Sequence, residues 1–238
     1  MTLNTRSPAY VIVFATAASA VFTVAIMALY QFTEPTAKLN ARLAEDKAVV
    51  EMFDLADAST LTDRQIVDLV RRRVAGPIAL PDPQGGSVNV WIAYAGDAPT
   101  TPDLRDRANV QAYAFDISGV GFWATIRGRM AVSADLKTVV GVVFLSHSET
   151  PGLGGRISSD AKWRQTFRGL DITPGGGAKL IYINNVAPET GPPQHGRHVD
   201  AITGATGTST AVETFVRKDL DRFRRAAAAA GLGAGGQP

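Results

Sequence analysis

The chain contains no cysteine, which excludes disulfides, thiolate nucleophiles and cysteine-ligated zinc or iron–sulfur centres at once. Charge excess is small: 24 lysines and arginines against 22 acids leave a net +2, only mildly basic. The densest basic run, Arg71-Arg72-Arg73, falls on a helical pattern and reads as a solvated helix face. Nowhere are aromatics interleaved with basic residues as a single-strand groove requires, so no nucleic-acid partner is expected. Histidine is scarce too, at three residues. His195 and His198 stand three apart in a Pro/Gly-rich loop; with no cysteine, they and His147 read as loop histidines rather than a metal site.

One long apolar run stands out. From Tyr10 to Phe32 there is no charged residue, and about 20 apolar residues suffice to cross a bilayer as a helix. Tyr10 and Tyr30 sit near its ends, where amphipathic rings favour the interface. A cleaved signal peptide would have a shorter apolar stretch, and here Ala18-Ser19-Ala20 falls mid-run. The run is therefore expected to be an uncleaved anchor in the lipid bilayer. Arg6 precedes it and Lys38, Arg42 and Lys47 follow, a charge pattern that by itself leans toward a cytoplasmic C-terminal domain.

Beyond the anchor, Leu39, Leu43, Val50 and Phe53 recur at helical intervals, so Pro35 to Leu55 reads as a helix leaving the membrane. A second helix starts at Thr62, with Gln65 as its capping-box partner, and is stopped by Gly76-Pro77 ahead of a loop through Gly86. Val88, Val90, Ile92 and Tyr94 alternate as on a strand. Phe122 to Val132 and Thr138 to Leu145 form a hairpin about an Asp135-Leu136-Lys137 turn, and Lys179 to Ile183 adds a strand. A short helix lies around Trp163 to Phe167. The last helix is expected after Thr210, with Glu213 completing a capping box and Val212, Phe215, Val216, Leu220 and Phe223 as its buried stripe. The fold class expected is α+β with a mainly antiparallel sheet and flanking helices. The segments are 1–9 (short N-terminal stretch), 10–32 (membrane helix), 33–86 (juxtamembrane helices and linker), 87–225 (the main domain) and 226–238 (a fraying Ala/Gly tail).

Two segments carry chemistry. Asp200 to Thr210 crowds hydroxyls and glycines against a helix start. It reads either as a capping loop, which Thr210 alone would satisfy, or as an anion site using free amides and the helix dipole. A Rossmann turn is disfavoured, because no second strand follows to complete the unit. His147 to Arg156 follows an apolar strand, and its Pro151-Gly152 turn and three glycines let a planar ligand approach the backbone. It reads as a binding loop or as a plain hairpin loop.

Together these segments resemble the FMN-binding subunit family that includes NqrC, of the sodium-pumping NADH:quinone reductase (Nqr), and RnfG, of the Rnf complex. That family carries an H-x-E-T-P-G-L-G loop, a tryptophan about ten residues on, and a D-x-x-(S/T)-G-A-T motif. Here the matching residues are His147 to Gly154, Trp163, and Asp200 to Thr206. The resemblance implies FMN esterified through its phosphate to Thr206 by a separate flavin transferase, with Asp200, Thr203, Gly204 and Ala205 as the recognition sequence. It also implies that His147, Glu149, Thr150, Gly152, Leu153 and Gly154 belong to the flavin site. Thr150 would bond the ring's polar edge and Leu153 would pack on its face. Trp123 is a further candidate for contact, its alternative being an ordinary core aromatic. The implied role is electron transfer within a membrane oxidoreductase complex, whose other subunits are the partners. Gly121-Phe122-Trp123 and Gly154-Gly155 look more like NqrC, whereas Arg156 replaces an acidic residue usual there. The resemblance places the domain outside the bacterial cytoplasmic membrane, against the charge pattern, and is preferred to it. A tethered protein that binds FMN reversibly, and a structural anchor subunit that is never modified, are the rival readings.

Overall fold

A computed structural model of the chain describes residues 7–104, 109–173, 181–183 and 196–232. The chain divides into two units, residues 1–44 and 45–238. The first consists largely of helix α1 (Pro8–Phe53). Its most apolar window has a mean hydropathy of 2.3 and no buried residue, so the helix is long and apolar enough to cross a membrane. The expected juxtamembrane helix is its continuation: α1 runs on through Pro35. The proline removes one helix hydrogen bond, and a Lys38–Glu34 ion pair at 2.8 Å spans that turn.

In the second unit, helix α2 (Asp63–Arg73) has the expected box, with Thr62 and Gln65 bonded reciprocally. Five strands follow: β1 (Val74–Pro81), β2 (Ser87–Tyr94), β3 (Val110–Val120), β4 (Thr125–Ser133) and β5 (Val139–Ser146). They form one antiparallel sheet in sequence order. Two short helices, α3 (Arg156–Ser159) and α4 (Ala161–Gln165), precede a parallel pair of two-residue strands, β6 (Tyr182–Ile183) and β7 (His198–Val199). Helix α5 (Thr206–Ala229) closes the unit. The α+β architecture is as expected.

Two of the five strands are absent from the sequence reading, β1 and β3, and β3 is the middle one. In β3, Ala112, Tyr113, Ala114 and Phe115 are all buried, because both faces of the sheet are covered and no in–out alternation survives. On one face Phe115 stacks on Phe223 of α5, ring centroids 4.4 Å apart. Val212, Phe215, Val216 and Leu220 join that core, so the buried stripe of α5 is as expected. On the other face Ala112, Ala114 and Ala131 meet Val49, Met52 and Phe53 at the end of α1. Gly141 completes this flat surface: a Cβ there would collide with the Met52 carbonyl oxygen.

Four boundaries need correction. Gly76-Pro77 does not stop α2 but lies within β1, where the register shifts between Ala75 and Ile78; an edge strand tolerates proline at such a bulge. Strand β4 starts at Thr125 rather than Phe122. Helix α5 starts at Thr206, not after Thr210, and Glu213 makes no capping box but accepts the Ile183 amide at 2.8 Å. Of the stretch expected to fray, 226–238, the part to Ala229 is instead helical, with Ala226, Ala227 and Leu232 buried, and residues 233–238 lie outside the described residues. Of the strand expected at 179–183, residues 179 and 180 lie outside the described residues.

Candidate functional site

Three connections converge on the N-terminus of α5. The first joins β3 to β4: the Gly121 amide bonds the Ala124 carbonyl at 2.8 Å, and the tight turn leaves Phe122 and Trp123 64% and 66% exposed at its tip. Trp123 is therefore not a core aromatic. The second follows β5. There the Thr150 carbonyl accepts the Leu153 and Gly155 amides at 3.2 and 2.9 Å, and Gly152 takes φ +77°, as a turn after Pro151 requires.

The third connection, residues 200–205, is held from two sides. Asp160 caps α4 by accepting the Trp163 amide at 3.1 Å, and Trp163 donates its indole N–H to the Asp200 carbonyl at 2.8 Å. The buried Ser209 hydroxyl accepts the Ile202 amide and donates to the Ala205 carbonyl, both at 3.0 Å. Arg156, the departure from the family pattern, pairs with Asp160 at 2.6 Å. That guanidinium first, and then the Trp163 amide, hold the Asp160 carboxyl below the ordinary carboxylate range.

Between these connections lies a cavity of about 220 Å³. It brings together Trp123, Glu149, Thr150, Leu153 and Gly154 on one side and Gly204, Ala205 and Thr206 on the other. Phe122, Gly207 and Thr208 also line it. These three are not singled out by the sequence: Phe122 has only its place beside Trp123 as a signal, and nothing distinguishes Thr208 within a run of hydroxyls. A second groove, of about 480 Å³, adjoins at Gly207 and runs along α5 past Thr210 and Thr214 to Lys218.

His147 and Asp200 act on the site from outside its lining. His147 bonds Ser158 Oγ through Nε2 at 2.7 Å and accepts the Glu149 amide at Nδ1, 3.2 Å away, a pattern that places its proton on Nε2. Asp200 directs its carboxylate to solvent, 3.8 Å from His198 Nδ1, and contributes through its backbone carbonyl. Thr203 and Gly152 are exposed outside the cavity. His195 lies outside the described residues.

Glu149 is buried, 5% exposed, and both its carboxylate oxygens are hydrogen-bonded. Oε1 accepts the Phe122 and Trp123 amides at 2.9 and 3.1 Å, and Oε2 accepts the Thr208 hydroxyl at 2.6 Å. The Thr150 hydroxyl accepts the Trp123 indole N–H at 3.1 Å. Among the described residues, no lysine, arginine or histidine lines the cavity. The start of α5 has Ala205 as N-cap and no side-chain cap, so the dipole and first-turn amides of a 24-residue helix are left to an anion.

Residues 121–221 match the family model of the FMN-binding domain. The NqrC protein of the Na(+)-translocating NADH-quinone reductase from Pseudomonas aeruginosa is 35% identical over 102 residues, which are 42% of this chain and 38% of that one. The G component of the ion-translocating oxidoreductase complex from Cereibacter sphaeroides is 33% identical over 147 residues, 61% of this chain and 57% of that one. The chain thus spans less than two thirds of the length of either. Among solved structures, Shewanella oneidensis NqrC superposes with a TM-score of 0.59 at 18% identity, over 79% of this chain and 96% of that one. The corresponding protein from Parabacteroides distasonis gives 0.57 at 19%, over 80% and 94%. At these identities the structural likeness is one of fold. The resemblance read from the two motifs is borne out.

Proposed function

We propose that this chain is a membrane-anchored electron-transfer subunit of an Nqr- or Rnf-type complex, with FMN joined through its phosphate to Thr206. Helix α1 serves as the anchor, and the domain faces the outside of the cytoplasmic membrane. The observation that carries the reading is the position of Thr206: the first residue of α5, exposed, on the wall of the cavity that both motifs build.

The other hydroxyls of the run are less suited. Thr208 and Ser209 are buried and committed to Glu149 and Ala205. Thr210 and Thr203 lie outside the cavity. Small neighbours matter as well: Gly204 at φ +79° and Ala205 leave the hydroxyl open to another enzyme's active site. Esterification joins Thr206 Oγ1 to the flavin phosphorus. Because a phosphomonoester does not condense with an alcohol unaided in water, the transferase draws on a flavin phosphoanhydride donor. Its P–O–P bond breaks, the other phosphate leaves, and the threonine proton passes to solvent.

The charge of the site favours the covalent reading over reversible binding. A free FMN phosphate carries close to two negative charges, and no cation among the described residues lines the cavity, where Glu149 already contributes one carboxylate. The ester keeps a single charge, which the uncapped start of α5 can stabilise. The cavity is smaller than the about 300–1,000 Å³ usual for a pocket that encloses a ligand, so part of the flavin stays open to a redox partner. When bound, the flavin supplies the redox chemistry; the chain holds it and sets its surroundings.

The test is Thr206→Ala in the full chain, produced beside an active flavin transferase and compared by flavin fluorescence of the denatured protein. Loss of bound flavin, with a melting transition shifted by no more than an exposed substitution allows (about 0.5 kcal/mol), is expected. Covalent flavin retained in the variant would place the attachment elsewhere.

A further inference from the structure

We infer that Glu149 is a positioning residue that selects which hydroxyl of the 203–210 run is modified. The inference rests on the flavin-attachment reading and adds a role for a carboxylate that, as an acceptor only, offers a phosphate no donor. Its three accepted bonds join the two walls of the cavity: the Phe122 and Trp123 amides on one side and Thr208 Oγ1 on the other. The Thr208 hydroxyl is thereby turned inward, 3% exposed, two residues from the exposed Thr206. The surroundings are shaped to this carboxylate. A Cβ on Gly121 would stand 2.5 Å from Glu149 Oε1, and one on Gly154 would stand 2.7 Å from Oε2 and 2.5 Å from Thr208 Oγ1. Two glycines therefore border one buried acid.

Chemically the acid has two effects. It supplies acceptors to two amides of a turn that has no other use for them, which fixes Phe122 over Gly207. It also removes Thr208 from competition with Thr206. Charge is incidental to both. Glutamine can accept the two amides through Oε1 and donate an N–H to Thr208 Oγ1, whereas alanine leaves both amides unanswered and frees Thr208.

The experiment uses the full chain as wild type, Glu149→Gln and Glu149→Ala, each produced with and without an active flavin transferase. Intact mass and peptide mapping read the loading and its site. Amide hydrogen exchange of residues 121–124 in the transferase-free protein reads the turn independently of flavin. Glu149→Gln is expected to load within about twofold of wild type, on Thr206, with the turn still protected. Glu149→Ala is expected to exchange about tenfold faster at Phe122 and Trp123 and to load about tenfold less, part of it on Thr208.

A Glu149→Gln chain that folds but loads tenfold less overturns the positioning role, since the geometry is kept and only the charge is gone. That arm decides the matter even if the alanine variant does not fold. Glu149→Ala that loads as wild type, on Thr206 alone, overturns it equally. A wild type that stays unmodified beside the active transferase overturns the flavin reading, and the selection role with it.

Discussion

Gly207 lies under the ring of Phe122: a Cβ on this second residue of α5 would stand 2.9 Å from Phe122 Cδ2. The contact closes one end of the cavity. It sets helix propensity against site geometry, because glycine within a helix is unfavourable by about 1 kcal/mol relative to alanine. The Phe122 ring is exposed and can rotate aside while its amide stays bonded to Glu149. Gly207→Ala is therefore expected to leave stability unchanged or raise it by up to about 1 kcal/mol, while displacing Phe122 and lowering flavin loading. Chemical denaturation and intact mass on the same preparations separate the two effects. Stability and loading falling together would mean that Gly207 serves the fold rather than the site.

Gly141 behaves oppositely. The atoms its Cβ would meet are the Met52 carbonyl and backbone, which cannot rotate away. Gly141→Ala is expected to destabilise the folded unit by about 1–3 kcal/mol, as overpacking does, without a specific effect on loading in the molecules that fold. A urea midpoint equal to wild type would contradict the tight seating of the end of α1 on β5.

Trp163 reaches the site through one hydrogen bond, to the Asp200 carbonyl at 2.8 Å. Trp163→Phe keeps an aromatic ring beside Phe167 and Phe144 and leaves that carbonyl without its donor. A loss of about 1 kcal/mol is expected, together with faster amide exchange in residues 200–205. Unchanged exchange there would show that Ser209 alone fixes the loop.

Acid should loosen the β1–β2 turn from α5. The Gln84 amide first, helped by Arg225 and Arg222, holds the Asp82 carboxyl below its ordinary value. The unfolded chain therefore takes up this proton before the folded one does. The contribution is complete above about pH 4, where the unfolded aspartate is already ionised. It is lost as pH falls from there through the lower folded value. Asp160, held down by Arg156 and the Trp163 amide, acts in the same direction. Melting temperature should thus fall as pH drops below about 4, and Asp82→Asn should make that fall shallower. A variant whose acid profile matched wild type would remove Asp82 from the account.

Which parts of this molecule are legible in its sequence follows from packing. Val88, Val90, Ile92 and Tyr94 alternate visibly because Asn89 and Trp91 between them are less buried, although Ala93 is buried. Ala112 to Phe115 give no such signal, because the end of α1 and α5 cover β3 from both sides. Strand β1 is hidden by Gly76-Pro77, which reads as a stop and works as a bulge. The start of α5 lies earlier than the sequence suggests because hydroxyl residues signal a capping loop. Here Thr208 and Ser209 bond Glu149 and Ala205 from within the first turn instead. The site is legible as two motifs, each meaningful for its spacing, but their meeting point is not. That depends on the Phe122–Trp123 turn and on a buried carboxylate bonded to a residue 59 positions away.

The most direct test of the central claim is the intact mass of the full chain purified from cells with an active flavin transferase, followed by peptide mapping. The account predicts an increase of one FMN less water, carried on the peptide that contains Thr206 and absent from Thr206→Ala. An unmodified mass beside a transferase shown to be active, or an adduct mapped to Thr203, Thr208 or Thr210, would contradict it.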